Sequence, residues 1–74
     1  MQEDWARRTR AYLKREMKRR RITYKDLAEQ LSKTGLVETE RSINQKINRG
    51  AFPAWFFVAA LSAISCRSFS LDDL

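Results

Sequence analysis

The stretch from Ala51 to Ala63 constrains this chain most, because it is apolar almost all round a helix and sits in only 74 residues. Pro53 suits the first turn of a helix. Behind it Trp55, Phe56, Phe57, Val58, Ala59, Ala60, Leu61, Ala63 and Ile64 leave no polar face, so the helix is expected to run to about Ser65. Such a helix has to be covered on most sides. A bilayer is not the cover, since a spanning helix needs about 20 apolar residues. The cover must come from the rest of the chain or from a partner. A flank formed by Trp55, Val58, Ala59 and Ser62 is the part the other segments are least able to reach. It is the candidate interface of a symmetric homodimer.

Three further helical segments supply the neighbours. The first spans about Glu3 to Arg20, with Trp5, Thr9, Tyr12, Leu13 and Met17 recurring on one face. Glu3 and Asp4 in its first turn and Arg19, Arg20 and Arg21 at its end complement the helix dipole. The second begins at the N-cap Thr23, with Asp26 three residues on and Ile22 and Leu27 placed as a hydrophobic staple. It turns Leu27, Ala28 and Leu31 inward and ends before Gly35, over about residues 24–33. The third opens at the N-cap Thr39 and closes at Gly50. Only Ile43 and Ile47 are apolar within it, so it rests on a narrow stripe and shows its other faces outward. Phe69, Leu71 and Leu74 offer extra cover, with Ser70 capping a last turn. The expected fold is all-α: a single domain over residues 1–74 with four to five short helices around one core.

Disulfides within the chain are ruled out by the single cysteine, and a zinc site lacks ligands because there is no histidine. No cofactor or metal is implied, and no small-molecule substrate is evident. The lone thiol suits a reducing, cytoplasmic setting, and the basic N-terminus carries no apolar leader. Cys66 falls in a polar junction and reads as a bystander. With no histidine base, no paired nucleophile and no glycine-rich phosphate loop, an enzyme is not expected.

Charge points to a partner. Residues 1–21 hold nine Lys/Arg against three acids, which accounts for the whole net +6. A one-ended positive field favours an anionic partner, nucleic acid first and acidic membrane second. The third segment supplies residues suited to base edges: Arg41, Ser42, Gln45, Asn48 and Arg49, with Asn44 and Lys46 at the margins. Arginine and lysine pair with guanine, and asparagine and glutamine with adenine. Solvated helix faces more often use Glu and Lys, which have better helix propensity than Asn. Arg7, Arg10, Lys14, Arg15, Lys18 and Lys46 are the candidate phosphate contacts, which set register without reading sequence.

The layout of capped helix, glycine-containing turn and polar second helix over about residues 23–50 is that of a helix-turn-helix. The words LAEQL and INRG resemble the pattern of phage-repressor-type helix-turn-helix domains across about residues 22–64, with a lengthened turn in SKTGLVETE. The whole chain is also similar to a small bacterial family of uncharacterised domains. That pattern is carried here by Trp5, Tyr12-Leu13, Thr23-Tyr24, Leu27-Ala28, Leu31, Asn48-Arg49-Gly50, Phe52 and Phe56-Phe57. The first resemblance implies double-stranded DNA as partner and a transcription-related role. The rival from another class is an interaction or homo-oligomerisation module whose basic helix only solubilises. RNA bound through the Arg-rich first helix ranks third, since it leaves the Asn/Gln-rich helix unexplained.

Overall fold

A long N-terminal helix forms because eighteen consecutive residues contain no Gly or Pro and repeat apolar side chains with helical period. In the computed structural model this helix, α1, spans Gln2–Arg19. The structure describes residues 2–74, with side chains from residue 5 onward, so the dipole role expected of Glu3 and Asp4 lies outside the described side chains. Three ten-residue helices follow: α2 over Tyr24–Lys33, α3 over Glu40–Arg49 and α4 over Ala54–Ala63. A single 3-10 turn, Leu71–Asp73, ends the chain, capped by the Ser70 hydroxyl as the sequence suggests. Among the described residues there is no strand, and no helix is long and apolar enough to cross a membrane.

The helix starts follow from local chemistry. The Thr23 hydroxyl accepts the Asp26 N–H at 3.1 Å while the Asp26 carboxylate accepts the Thr23 N–H at 3.0 Å. The same reciprocal box joins Thr39 and Ser42. Each box satisfies backbone donors that the first turn leaves without a helical partner.

The helix ends share a device that the sequence shows only in part. In α1, α2 and α4 a residue with positive φ turns the chain back: Arg21 at 57°, Gly35 at 89° and Ser65 at 65°. The next N–H then bonds a carbonyl five residues earlier, from Ile22 to Met17, Leu36 to Leu31 and Cys66 to Leu61. This is the Schellman motif, and each time it returns an apolar residue to the core. Glycine announces the motif at position 35, whereas Arg21 and Ser65 give no such signal.

One continuous core results. Leu13, Leu27, Leu31, Ile43, Ile47 and Phe56 are fully enclosed, and Tyr12, Met17, Phe57, Ala60, Leu61 and Ile64 complete it. Helix α4 is therefore covered along Phe56, Phe57, Ala60 and Leu61, while Trp55 and Val58 remain 57% and 61% exposed. Three readings need correction. Trp5 belongs by spacing to the inward face but is 55% exposed, under the Arg8 guanidinium at 4.6 Å. Leu71 also points outward, so the tail covers the core through Phe69, whose ring meets Tyr12 and Phe57, and through Leu74. Cys66 is not in a polar junction: the turn after α4 buries it, where its Sγ shares a 3.5 Å hydrogen bond with the Tyr12 hydroxyl. That bond, together with burial, pushes the Tyr12 phenol up to about 12.

Candidate nucleic-acid interface

Helix α3 touches the core through Ile43 and Ile47, as its narrow stripe requires. Arg41, Asn44, Gln45, Asn48 and Arg49 are exposed on its remaining surface. Both ends are pinned. Thr39 caps the start, and Gly50, at φ 67°, closes the end with its N–H on the Ile47 and Lys46 carbonyls.

Ser42 and Lys46 have structural duties at this site. The Ser42 hydroxyl completes the N-terminal box and donates to Glu38 Oε1 at 2.6 Å. Lys46 Nζ reaches both oxygens of the same carboxylate at 2.9 and 3.0 Å and lies 5.6 Å from the Phe56 ring centre. Burial pushes the Glu38 carboxyl up, but the bonds from Ser42 and Lys46 outweigh it and hold the group below the ordinary carboxylate range. The network fastens the α2–α3 connection to one side of α3. Glu38 was not singled out from the sequence, yet a signal existed: residues 38, 42 and 46 repeat at the four-residue spacing of one helical face. The outward set that remains is Arg41, Gln45, Asn48 and Arg49, with Asn44 accepting a hydrogen bond from the Asn48 amide.

The basic residues of α1 divide into two flanks. At 100° per residue, positions two apart lie about 200° around the helix, so Arg8 and Arg10 face different ways. On one side Arg8 donates to the Leu74 carbonyl at 2.7 Å and Arg15 to the Asp73 carbonyl at 2.9 Å. Arg15 also lies over the Tyr12 ring. Arg19 and Arg20 both bond Glu16, a buried carboxylate, and the Arg20 bond first, against burial, keeps it ionised to unusually low pH. These four side chains tie down the tail and neutralise a buried acid.

The opposite flank runs beside α3. Arg10 donates to the Asn48 carbonyl at 2.7 Å, and the Gly50 Cα passes Ala6 closely enough that a Cβ there would lie 3.6 Å from the Ala6 carbonyl oxygen. Arg7, Arg10 and Arg49, with Ala6 as floor, surround a cleft of about 330 Å³. Lys14 and Lys18 continue this flank, exposed, toward the start of α2. Of the six candidate phosphate contacts, then, Arg7, Arg10, Lys14 and Lys18 lie on this flank of α1, the arginines beside the end of α3 and the lysines beside the start of α2, while Arg15 bonds the tail and Lys46 bonds Glu38. The Trp55, Val58 and Ser62 side chains are exposed together on α4, with Ala59 half-buried between them.

The chain belongs to the family described as Domain of unknown function (DUF6471), which it matches over residues 5–69. That span includes all four α-helices beyond the first residues of α1 and reaches the half-exposed Phe69, whose ring meets Tyr12 and Phe57. No curated protein and no solved structure matches the chain.

Proposed function

We propose that this domain binds double-stranded DNA, with α2 and α3 acting as a helix-turn-helix of repressor-like type with a lengthened turn. Helix α3 would enter the major groove. Arg41, Gln45, Asn48 and Arg49 are the base-reading side chains, and Arg7, Arg10, Lys14 and Lys18 hold phosphates beside them. One observation carries the reading: the Asn/Gln/Arg face of α3 is exposed and adjoins an arginine-lined cleft shared with α1. A solubilising surface has no need of that convergence. The lengthened turn is compatible with the reading because Glu38 pins it to α3 through Ser42 and Lys46. The domain is thus a binding module in transcription rather than an enzyme, and its setting is the cytoplasm.

Fluorescence anisotropy against random-sequence duplex DNA and structured RNA, over a salt series, tests this. Salt-steep binding to duplex, with sequences that can be selected, is the expected result. Gln45→Ala with Arg49→Ala should remove the selectivity and leave folding intact, since both side chains are exposed. Absence of duplex binding near physiological salt would overturn the reading, and preference for RNA would replace it.

A second reading is favoured by α4. Its exposed Trp55 and Val58 lie within residues 51–66, which contain no charged side chain in an otherwise strongly basic chain. Two copies of a +6 protein can approach there with least repulsion. A homodimer through this flank is compatible with DNA binding, because paired half-sites call for paired domains. Sedimentation should show Val58→Glu shifting any dimer to monomer without loss of helicity. If assembly persists in that variant, the flank is not the interface.

A further inference from the structure

The flank of α1 turned toward the tail bounds a second groove, of about 510 Å³, between the helix, the 66–68 connection and the 3-10 turn. Its walls carry the guanidinium groups of Arg15, Arg19, Arg20 and Arg67 and the carboxylates of Glu16 and Asp73. Four positive groups against two negative leave a surplus of two charges. The carboxylates are already engaged: Glu16 accepts from Arg19 and Arg20, and Asp73 accepts the Ser70 N–H at 2.9 Å. Arg15 gives one N–H to the Asp73 carbonyl, and a guanidinium has five. Arg67 is exposed and, among the described residues, makes no hydrogen bond or ion pair. It is also the one charged residue between Arg49 and Asp72.

We propose that this groove binds a phosphate-type oxyanion of two to three charges, a phosphate monoester or pyrophosphate group, held between Arg15, Arg19 and Arg67. Planar guanidinium forks match the paired oxygens of phosphate, and the surplus of positive charge favours a multiply charged anion. The volume is that of a small-molecule site. A nucleic-acid strand suits the groove poorly. It lies on the flank away from Arg10 and α3. The bound group would join α1 to the connection after α4 and to the tail, three segments that separate on unfolding. Binding therefore raises the thermal midpoint.

The test is thermal unfolding of the full chain titrated with inorganic pyrophosphate, against sodium chloride at matched ionic strength. A saturable rise beyond the chloride control is expected. Arg67→Gln should move half-saturation at least about threefold higher, the scale of one exposed ion pair. Arg67→Lys, which keeps charge and loses the fork, should fall between. Lys33→Gln, which removes the same charge from the end of α2, should respond like the unmodified chain. A response equal to that of chloride, or unchanged in Arg67→Gln, overturns the proposal. Duplex affinity measured on Arg67→Gln separates the two sites. Unaltered affinity is expected, and a fall in parallel with the pyrophosphate response would reassign the groove to nucleic-acid backbone. The pyrophosphate titration does not involve α3, so it stands whether or not the DNA reading does.

Discussion

Arg10 and Asn48, 38 positions apart in sequence, are joined by a 2.7 Å hydrogen bond from the guanidinium to the main-chain carbonyl in the last turn of α3. One side chain thereby supplies a cation to the arginine cleft and satisfies a carbonyl that the helix end leaves open. Together with the approach of Gly50 to Ala6, it joins the end of α3 to the basic flank of α1.

Loss of that bond should therefore cost more than a phosphate contact. Lys14→Ala and Lys18→Ala are each expected to reduce the magnitude of the log–log salt slope by about 0.9, weakening all duplex sequences alike. Arg10→Ala should do the same and also blur selectivity, because the end of α3 loses an anchor. Arg15→Ala, on the tail side, should leave the slope unchanged. Anisotropy titrations of the four variants over a salt series check this pattern, and a slope change in Arg15→Ala equal to that of Lys14→Ala would contradict it.

Helix ends give a stability prediction. Arg21 and Ser65 occupy left-handed backbone, which costs a residue with a Cβ about 1–2 kcal/mol, partly offset by the greater freedom glycine loses on folding. Arg21→Gly and Ser65→Gly should each stabilise by about 0.5 kcal/mol. Gly35→Ala meets no neighbouring atom, so it should destabilise by the strain alone, about 1 kcal/mol. For a domain of this size that corresponds to a fall of about 4–8 °C in thermal midpoint.

Acid should loosen the fold through three carboxylates. Glu16, Glu38 and Asp26 are all held below their ordinary values, 4.5 for the glutamates and 3.8 for the aspartate. A depressed folded-state value means the unfolded chain binds more protons, so these groups stabilise above the ordinary value and lose their effect as pH falls through the folded one. The thermal midpoint should decline below about pH 4.5. Glu38→Gln, whose amide retains one acceptor for Ser42, should flatten part of that decline. An unchanged acid profile in Glu38→Gln would show that its pairing with Lys46 adds nothing to stability.

Alkali acts in the opposite sense through Tyr12. Its folded value near 12 lies above the ordinary 10.0, so the neutral phenol favours the fold below pH 10 and that contribution disappears as pH rises toward 12. Tyr24 is also raised, by burial, so ultraviolet titration should show both tyrosines ionising above the ordinary value, with Tyr12 resisting longest. Removing the Cys66 partner by Cys66→Ala should bring that transition to lower pH.

Much of this structure was legible because its causes are local. Thr23 with Asp26, Thr39, Ser70 and the two glycines act within a few residues of themselves, so the limits of α2 and α3 and the inward placing of Leu27, Leu31, Ile43 and Ile47 follow from spacing, whereas the turns at Arg21 and Ser65 do not. The polar outer face of α3 was visible for the same reason, since two isoleucines four apart leave no other side to bury. What spacing could not show was which long side chains find partners across the fold. Arg15 and Lys14 look equivalent in sequence, yet the tail's return past one flank of α1 supplies the Asp73 carbonyl to Arg15, while Lys14 stays exposed on the other flank, beside the start of α2. Lys46 looks available until the α2–α3 connection brings Glu38 onto it. Trp5 shares the period of Tyr12 and Leu13 but is exposed beside Arg8, and Cys66 is buried only because Ser65 turns the chain back. Backbone hydrogen bonds and helical period act over a few residues, so the sequence alone determined the helices and their faces. Pairing of charges and burial of flanks depend on segments tens of residues apart, so the tertiary structure alone decided which cations are committed and which face outward.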